Sequence, residues 1–269
     1  MRRMAGTIVF IHGAWVTARC WDPFVSYFEA RGYRCLAPSW PHKDAPPAVL
    51  RASPPAGLAG LGVTEIVDHY ADLIRGLPEP PILIGHSFGG LFVELLLDRG
   101  LGRAGVAMSP APPKGILALP FSTLKAGAPA LAHPSKWHGV VTLTREEFTY
   151  AFVNTLSEQD AAAAYERYAV PETGQIFYEA GFANFHLHPP TELHFKNGER
   201  APLLIVANGK DHTVPASTVR AQHKLYRHSS AVVDLREYGD RSHYTFGQEG
   251  WEDVADNALD WAIAHARTS

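Results

Sequence analysis

The sequence predicts an α/β fold, a doubly wound and mostly parallel sheet interrupted by a largely helical insertion. Three observations predict it. Short apolar, β-branched runs alternate with stretches of helical spacing along residues 1–110 and again along 201–269, as expected of strands buried on both faces and joined by crossover helices. One strand-to-helix junction, Pro81-Ile82-Leu83-Ile84-Gly85-His86-Ser87-Phe88-Gly89-Gly90, has no room for a connecting loop. The alternation then stops over 111–200, where prolines and helical patterns take over. The expected organisation is one core domain formed by 1–110 and 201–269, with 111–200 inserted as a cap.

Thr7-Ile8-Val9-Phe10-Ile11 reads as a strand opening into His12-Gly13-Ala14-Trp15. Residues 21–30 have helical spacing with Gly32 as the stop, and 33–37 form the next strand. Residues 38–62 are rich in Pro, Ala and Gly, carry no period, and predict a long loop of the functional or mobile kind. Thr64 is placed to cap a helix over 65–77, where Ile66, Tyr70, Leu73 and Leu77 recur on one face. The apolar run 82–84 and the helical run 91–97 flank Ser87. Further strands are predicted at 104–108, 202–207 and 231–238. Within the insertion, Pro112, Pro113, Pro120, Pro129 and Pro134 predict loops carrying apolar pieces such as Ile116-Leu117-Ala118-Leu119. Thr144 and Glu147 form a capping box for a helix over 145–156, with Phe148, Phe152 and Leu156 on one face. Ser157 caps another helix reaching Tyr168, and 171–180 is a third helical candidate.

Ser87 is the residue on which chemistry can be built. A turn from strand to helix this sharp forces its central residue into a strained conformation and points the side chain into open space. Side chains two positions to either side would collide, which is a steric reason for Gly85 and Gly89. The helix beginning after Ser87 aims its first N–H groups and dipole at any negative charge forming there. Two later turns carry partners for a nucleophile. Asp211 lies in Asn208-Gly209-Lys210-Asp211, behind the strand at 202–207, and His243 follows the last strand in Gly239-Asp240-Arg241-Ser242-His243.

Taken together, His12-Gly13-Ala14, the run Gly85 to Gly90, Asp211 and His243 resemble the α/β-hydrolase fold superfamily. The similarity is to its compact branch of esterases, methylesterases, hydroxynitrile lyases and cofactor-free haloperoxidases, and it spans nearly the whole chain. The resemblance implies a Ser87–Asp211–His243 triad in the order that fold uses. It implies an oxyanion hole made by the backbone N–H groups of Ala14 and Phe88, with Trp15 as the fallback for the first donor. It implies hydrolysis of a carboxylic ester, or a related lactone or thioester, through an acyl-enzyme and without a cofactor. An apolar, aromatic cap implies a small, largely apolar substrate, with Trp15, Phe148 and Phe152 as candidate pocket residues; for each phenylalanine, packing the cap onto the sheet is the stronger reading. The same triad could serve a perhydrolase, a lyase or a slow ligand sensor. Tyr244 after His243, where a lyase of this branch carries lysine, weighs against the lyase.

Composition sets bounds. With 46% hydrophobic residues among 269, the chain can bury a large core, and a net charge of −3 offers no electrostatic case for nucleic acid or an anionic membrane. Two cysteines, Cys20 and Cys35, make neither a disulfide framework nor a metal motif. His186, His188 and His194 lack a carboxylate or thiolate at ligand spacing, so no metal is expected. Neither a secretory leader nor a transmembrane run is evident, and the expected location is the cytoplasm.

Overall fold

The computed structural model describes residues 6–117 and 120–267. The charged start Met1-Arg2-Arg3-Met4 and the apolar pair Ala118-Leu119 lie outside the described residues. In chain order the elements begin with β1 (Thr7–Ile11), α1 (Asp22–Glu29), β2 (Arg34–Leu36), α2 (Pro47–Ala52) and α3 (Val63–Arg75). They continue with β3 (Ile82–His86), α4 (Phe88–Asp98) and β4 (Ala104–Met108). The stretch between β4 and the next sheet strand holds α5 (Phe121–Leu131), β5 (Val140–Val141), α6 (Arg145–Ala151), α7 (Glu158–Tyr168), β6 (Glu172–Thr173) and α8 (Gln175–Gly181). The chain closes with β7 (Leu203–Asn208), α9 (Ala216–Leu225), β8 (Val233–Tyr238) and α10 (Trp251–His265).

Six strands pair in the order β2-β1-β3-β4-β7-β8, every pair parallel. The chain starts inside the sheet, runs out to the β2 edge, then crosses back over β1 to β3. The β1/β3 boundary is therefore where the order reverses, and ligands of open parallel sheets gather at the carboxyl ends beside such a point. His12 follows β1 and Ser87 follows β3. Helices flank the sheet in two groups. Trp251 of α10 packs its ring on Phe24 and Tyr27 of α1, at 5.2 and 5.3 Å between centroids. In the other group, Gln222 of α9 donates to Glu94 of α4 at 2.6 Å. β3, β4 and β7 are buried throughout, which explains the apolar runs that lead into their polar last residues His86 and Asn208 in β3 and β7, whereas edge strand β8 is partly exposed and interleaves Asp234, Arg236 and Glu237.

Several boundaries differ from the sequence expectation for identifiable reasons. Helix α3 starts before Thr64, because the Glu65 carboxylate accepts the Gly62 N–H at 2.8 Å and Glu179 accepts that of Val63 at 2.7 Å. The 38–62 stretch contains α2, which begins on Pro47, a residue whose fixed φ suits a helix start. Pro129 does not break the chain into loop. It lies inside α5, in the last turn. The capping box at Thr144 forms, with Glu147 N–H to Thr144 Oγ1 at 3.2 Å and Thr144 N–H to Glu147 Oε2 at 2.7 Å, but α6 ends at Ala151 rather than 156. The expected helix over 171–180 is divided: Glu172 and Thr173 pair antiparallel with Val141 and Val140 before α8 begins. No described helix is long and apolar enough to cross a membrane.

A buried carboxylate couples this fold to pH. Glu94 is fully buried on α4, and burial raises its pKa to about 7 against the hydrogen bonds from Tyr226 and Gln222. The folded state then holds a proton that the unfolded chain releases, so stability falls as pH rises from about 4.5 to about 7 and levels off above. We expect Glu94→Gln to flatten that segment of the wild-type Tm–pH curve; an unchanged slope would show that Glu94 ionises alike in both states.

Candidate active site

Ser87 sits between β3 and α4 with φ 57° and ψ −123°, outside the regions an L-residue ordinarily occupies. Its backbone is held on both sides. The N–H donates to the Met108 carbonyl at 2.9 Å, and its own carbonyl accepts from Ala111 at 2.9 Å and Leu91 at 3.1 Å. Gly85 and Gly89 make the turn possible: a Cβ on Gly85 would overlap the Gly89 carbonyl, and one on Gly89 would overlap the carbonyls of Ile11 and His12. Phe88 opens α4, so its N–H has no acceptor within the helix.

His243 and Asp211 meet behind this turn. Both side chains are buried, with His243 Nδ1 donating to Asp211 Oδ2 at 2.7 Å. The other carboxylate oxygen, Oδ1, accepts the N–H groups of Thr213 and Val214, each at 2.8 Å, which aims Oδ2 at the imidazole. An ionised carboxylate only accepts, so Nδ1 carries the proton and Nε2 presents a lone pair. That Nε2 is buried and has no hydrogen-bond partner among the described residues. The ring is packed by His86 at 4.4 Å and by the edge of Phe152 at 4.9 Å. Burial, then the neighbouring His243, hold the His86 pKa well below its ordinary value, so His86 adds a neutral wall. His212 turns away, its Nδ1 donating to the Tyr150 carbonyl at 3.0 Å.

On the opposite side lies the turn after β1. His12 Nε2 accepts the Trp40 N–H at 3.2 Å, which leaves Nδ1 as the protonated nitrogen donating to the Gly13 carbonyl at 2.8 Å. Burial and then the Lys43 charge depress its pKa well below the ordinary value and keep it neutral. Carbonyl and N–H point oppositely across a trans peptide, so this bond directs the Ala14 N–H away from His12. Trp15 cannot be the alternative donor, because its N–H is already given to Glu172 Oε2 at 3.1 Å.

Ala14, Ser87 and Phe88 line one cavity of about 340 Å³, within the range of small-molecule sites. Trp15 and Phe152 line it too. Phe148 does not: it stacks behind Phe152 at 4.8 Å and packs on Tyr165. Phe177, absent from the sequence expectation, joins the wall and stacks on Trp15 at 4.3 Å. Among the described residues that line the cavity none is charged. Two of the three histidines weighed as metal ligands pair with carboxylates, His188 with Glu192 at 3.0 Å and His194 with Asp98 at 2.8 Å. No local sequence pattern marks Met108, Ala111, Lys43 or Glu172, because they act through backbone bonds or distant pairing.

The sequence profile of the Alpha/beta hydrolase family matches residues 8–258. A pyrethroid hydrolase of Sphingobium wenxiniae is 34% identical over 96 residues, a stretch covering 34% of this chain and 30% of that protein. This chain therefore aligns with under a third of that relative's length. Among solved structures, a pyrethroid hydrolase from Sphingobium faniae JZ-2 superposes with TM-score 0.66 at 19% identity, covering 96% of this chain and 98% of that one. A methylesterase from Arabidopsis superposes with TM-score 0.64 at 16% identity, covering 97% and 99%. At such identities the superpositions speak to the fold.

The steric role of the glycines gives a stability test. Gly89→Ala should lower unfolding free energy by about 2 kcal/mol or more, as overpacking against rigid backbone does, whereas Ser87→Ala should leave it nearly unchanged. Urea denaturation of both variants measures this, and equal midpoints would mean the turn relaxes freely.

Proposed function

The chain belongs to the α/β-hydrolase family, and from that premise we propose that it is a serine hydrolase cleaving a carboxylic ester of a small, largely apolar substrate through an acyl-enzyme on Ser87. The observation that carries this reading is the bare, buried Nε2 of His243, set by the Asp211 bond and packed against His86, the residue preceding Ser87. In the proposed reaction His243 removes the Ser87 hydroxyl proton as the oxygen attacks the ester carbonyl, and Asp211 stabilises the imidazolium. The N–H groups of Ala14 and Phe88 receive the developing oxyanion. Imidazolium then protonates the leaving alcohol, water enters, and His243 activates it to release the acid.

The uncharged cavity wall supports a neutral substrate, since an unpaired charge entering such a space would lose its hydration without compensation. The names of the relatives, a pyrethroid hydrolase and a methylesterase, favour an ester over other carbonyl substrates. Residues 111–200 act in this reading as a cap, contributing Phe152 and Phe177 to the wall.

Incubation with an organophosphonate should add one label, mapped to Ser87 by mass spectrometry, and Ser87→Ala should take none. On p-nitrophenyl esters, His243→Ala and Asp211→Asn should each lose about 10⁴-fold in kcat while remaining folded. Full turnover by Ser87→Ala would dispose of the nucleophile assignment.

A further inference from the structure

Every polar group of Trp15 is bound to the 111–200 segment. Its N–H donates to Glu172 Oε2 at 3.1 Å, its carbonyl accepts from Val170 at 2.9 Å, and its indole N–H donates to the Val141 carbonyl at 3.2 Å. Glu172 and Val141 face each other across the short β5–β6 ribbon, so both strands of that ribbon hold one residue of the β1 turn. Trp15 is itself in the left-handed region, at φ 58°.

The Glu172 carboxylate is fully buried and fully used. Oε2 also accepts from Lys43 Nζ at 2.5 Å, and Oε1 accepts the Thr173 N–H at 2.9 Å. Lys43 is equally buried, its ammonium 4.7 Å from the Trp40 ring centroid. Trp40 in turn stacks on His12 at 4.8 Å. Burial draws the Lys43 pKa down and Glu172 opposes the shift. A buried ion pair of this kind is weak evidence of a contribution to stability, because an apolar pair of similar volume commonly does as well. Its placement suggests a different use.

Ala14 lies between two peptide planes. The plane before it is set by His12 through the Gly13 carbonyl, and the plane after it by Glu172 through the Trp15 N–H. We propose that Glu172, held in place by Lys43, is a positioning residue for the oxyanion site: it fixes the peptide following Ala14 and makes that alignment depend on the 111–200 segment lying closed against the β1 turn. This rests on the reading of Ala14 as an oxyanion donor. Without the carboxylate, the Trp15 N–H is a buried donor lacking a partner, and its peptide can rotate toward an ordinary φ, taking Ala14 with it.

Two double variants of the full chain separate positioning from mere structure, since neither leaves a lone buried charge. Lys43→Met/Glu172→Gln keeps an acceptor for the Trp15 N–H; Lys43→Met/Glu172→Leu removes it. On a p-nitrophenyl ester the leucine variant should have a kcat about 10²-fold below the glutamine variant, with KM values within about threefold of each other. Its Trp15 amide should also exchange with solvent at least about tenfold faster, followed by ¹⁵N NMR. Equal kcat in the two folded variants, or a loss expressed in KM alone, overturns the proposal. Should the wild type neither hydrolyse esters nor label at Ser87, the proposed function fails by itself. Amide exchange then decides the anchor: faster exchange in the leucine variant upholds it, and equal exchange overturns it.

Discussion

The site depends on backbone held where it would not rest by choice. Trp15, Ser87 and Ser109 all have positive φ, at 58°, 57° and 44°, and they follow β1, β3 and β4, adjacent strands of the sheet. Each such residue costs of the order of 1–3 kcal/mol and persists only where its surroundings determine it. Hydrogen bonds supply that determination. Ser87 is fixed by Met108, Ala111 and Leu91, and Ser109 by Val206 and by Asn208, whose side chain donates to its hydroxyl at 2.9 Å. Trp15 is fixed from outside the sheet, by Glu172 and Val170. The parallel sheet thus aligns the strand ends, and the connections between them convert that alignment into a fixed set of directions.

Much of this could be read in the chain because the underlying constraints are local. A strand buried on both faces needs an apolar run, and β3, β4 and β7 have one; a turn without room for Cβ atoms needs Gly85 and Gly89. Asp211 and His243 stand at strand ends whose order in the sheet follows from the pattern of crossovers. What escaped the sequence is what arises from distant pairing. Glu172 sits 129 residues from Lys43 and 157 from Trp15, and no periodicity links them. The β5–β6 ribbon has two residues in each strand, too few to show alternation. Phe148 and Phe152 share a helical face in sequence, yet the helix ends at Ala151, and only Phe152 reaches the cavity.

The turns bearing Asp211 and His243 are tied to the same segment that holds Trp15. Thr213, which donates its N–H to Asp211, gives its hydroxyl to the Ala151 carbonyl at 2.7 Å, and Asn154 donates to the Lys210 carbonyl at 3.0 Å. Tyr244, next to His243, donates its N–H to the Phe152 carbonyl at 3.0 Å. One stretch of chain, from α6 to β6, therefore touches the turns bearing Trp15, Asp211 and His243. Displacing it would disturb all of them together.

Charge is distributed so that this contact does not intrude on the cavity. The Lys43–Glu172 pair is fully buried, yet neither residue lines the cavity, where the wall presents hydroxyl, amide and apolar groups. An ion at the wall would hold water there. With the ions placed behind Trp15, the space in front of Ser87 stays weakly polarisable, and there a hydrogen bond to a developing charge counts for more than in water. The desolvation of Lys43 and Glu172 is offset in part by their mutual contact and by backbone donors. The field that remains at Ser87 is then set by oriented N–H groups and by the Asp211–His243 pair, which are the groups whose directions the surrounding bonds control.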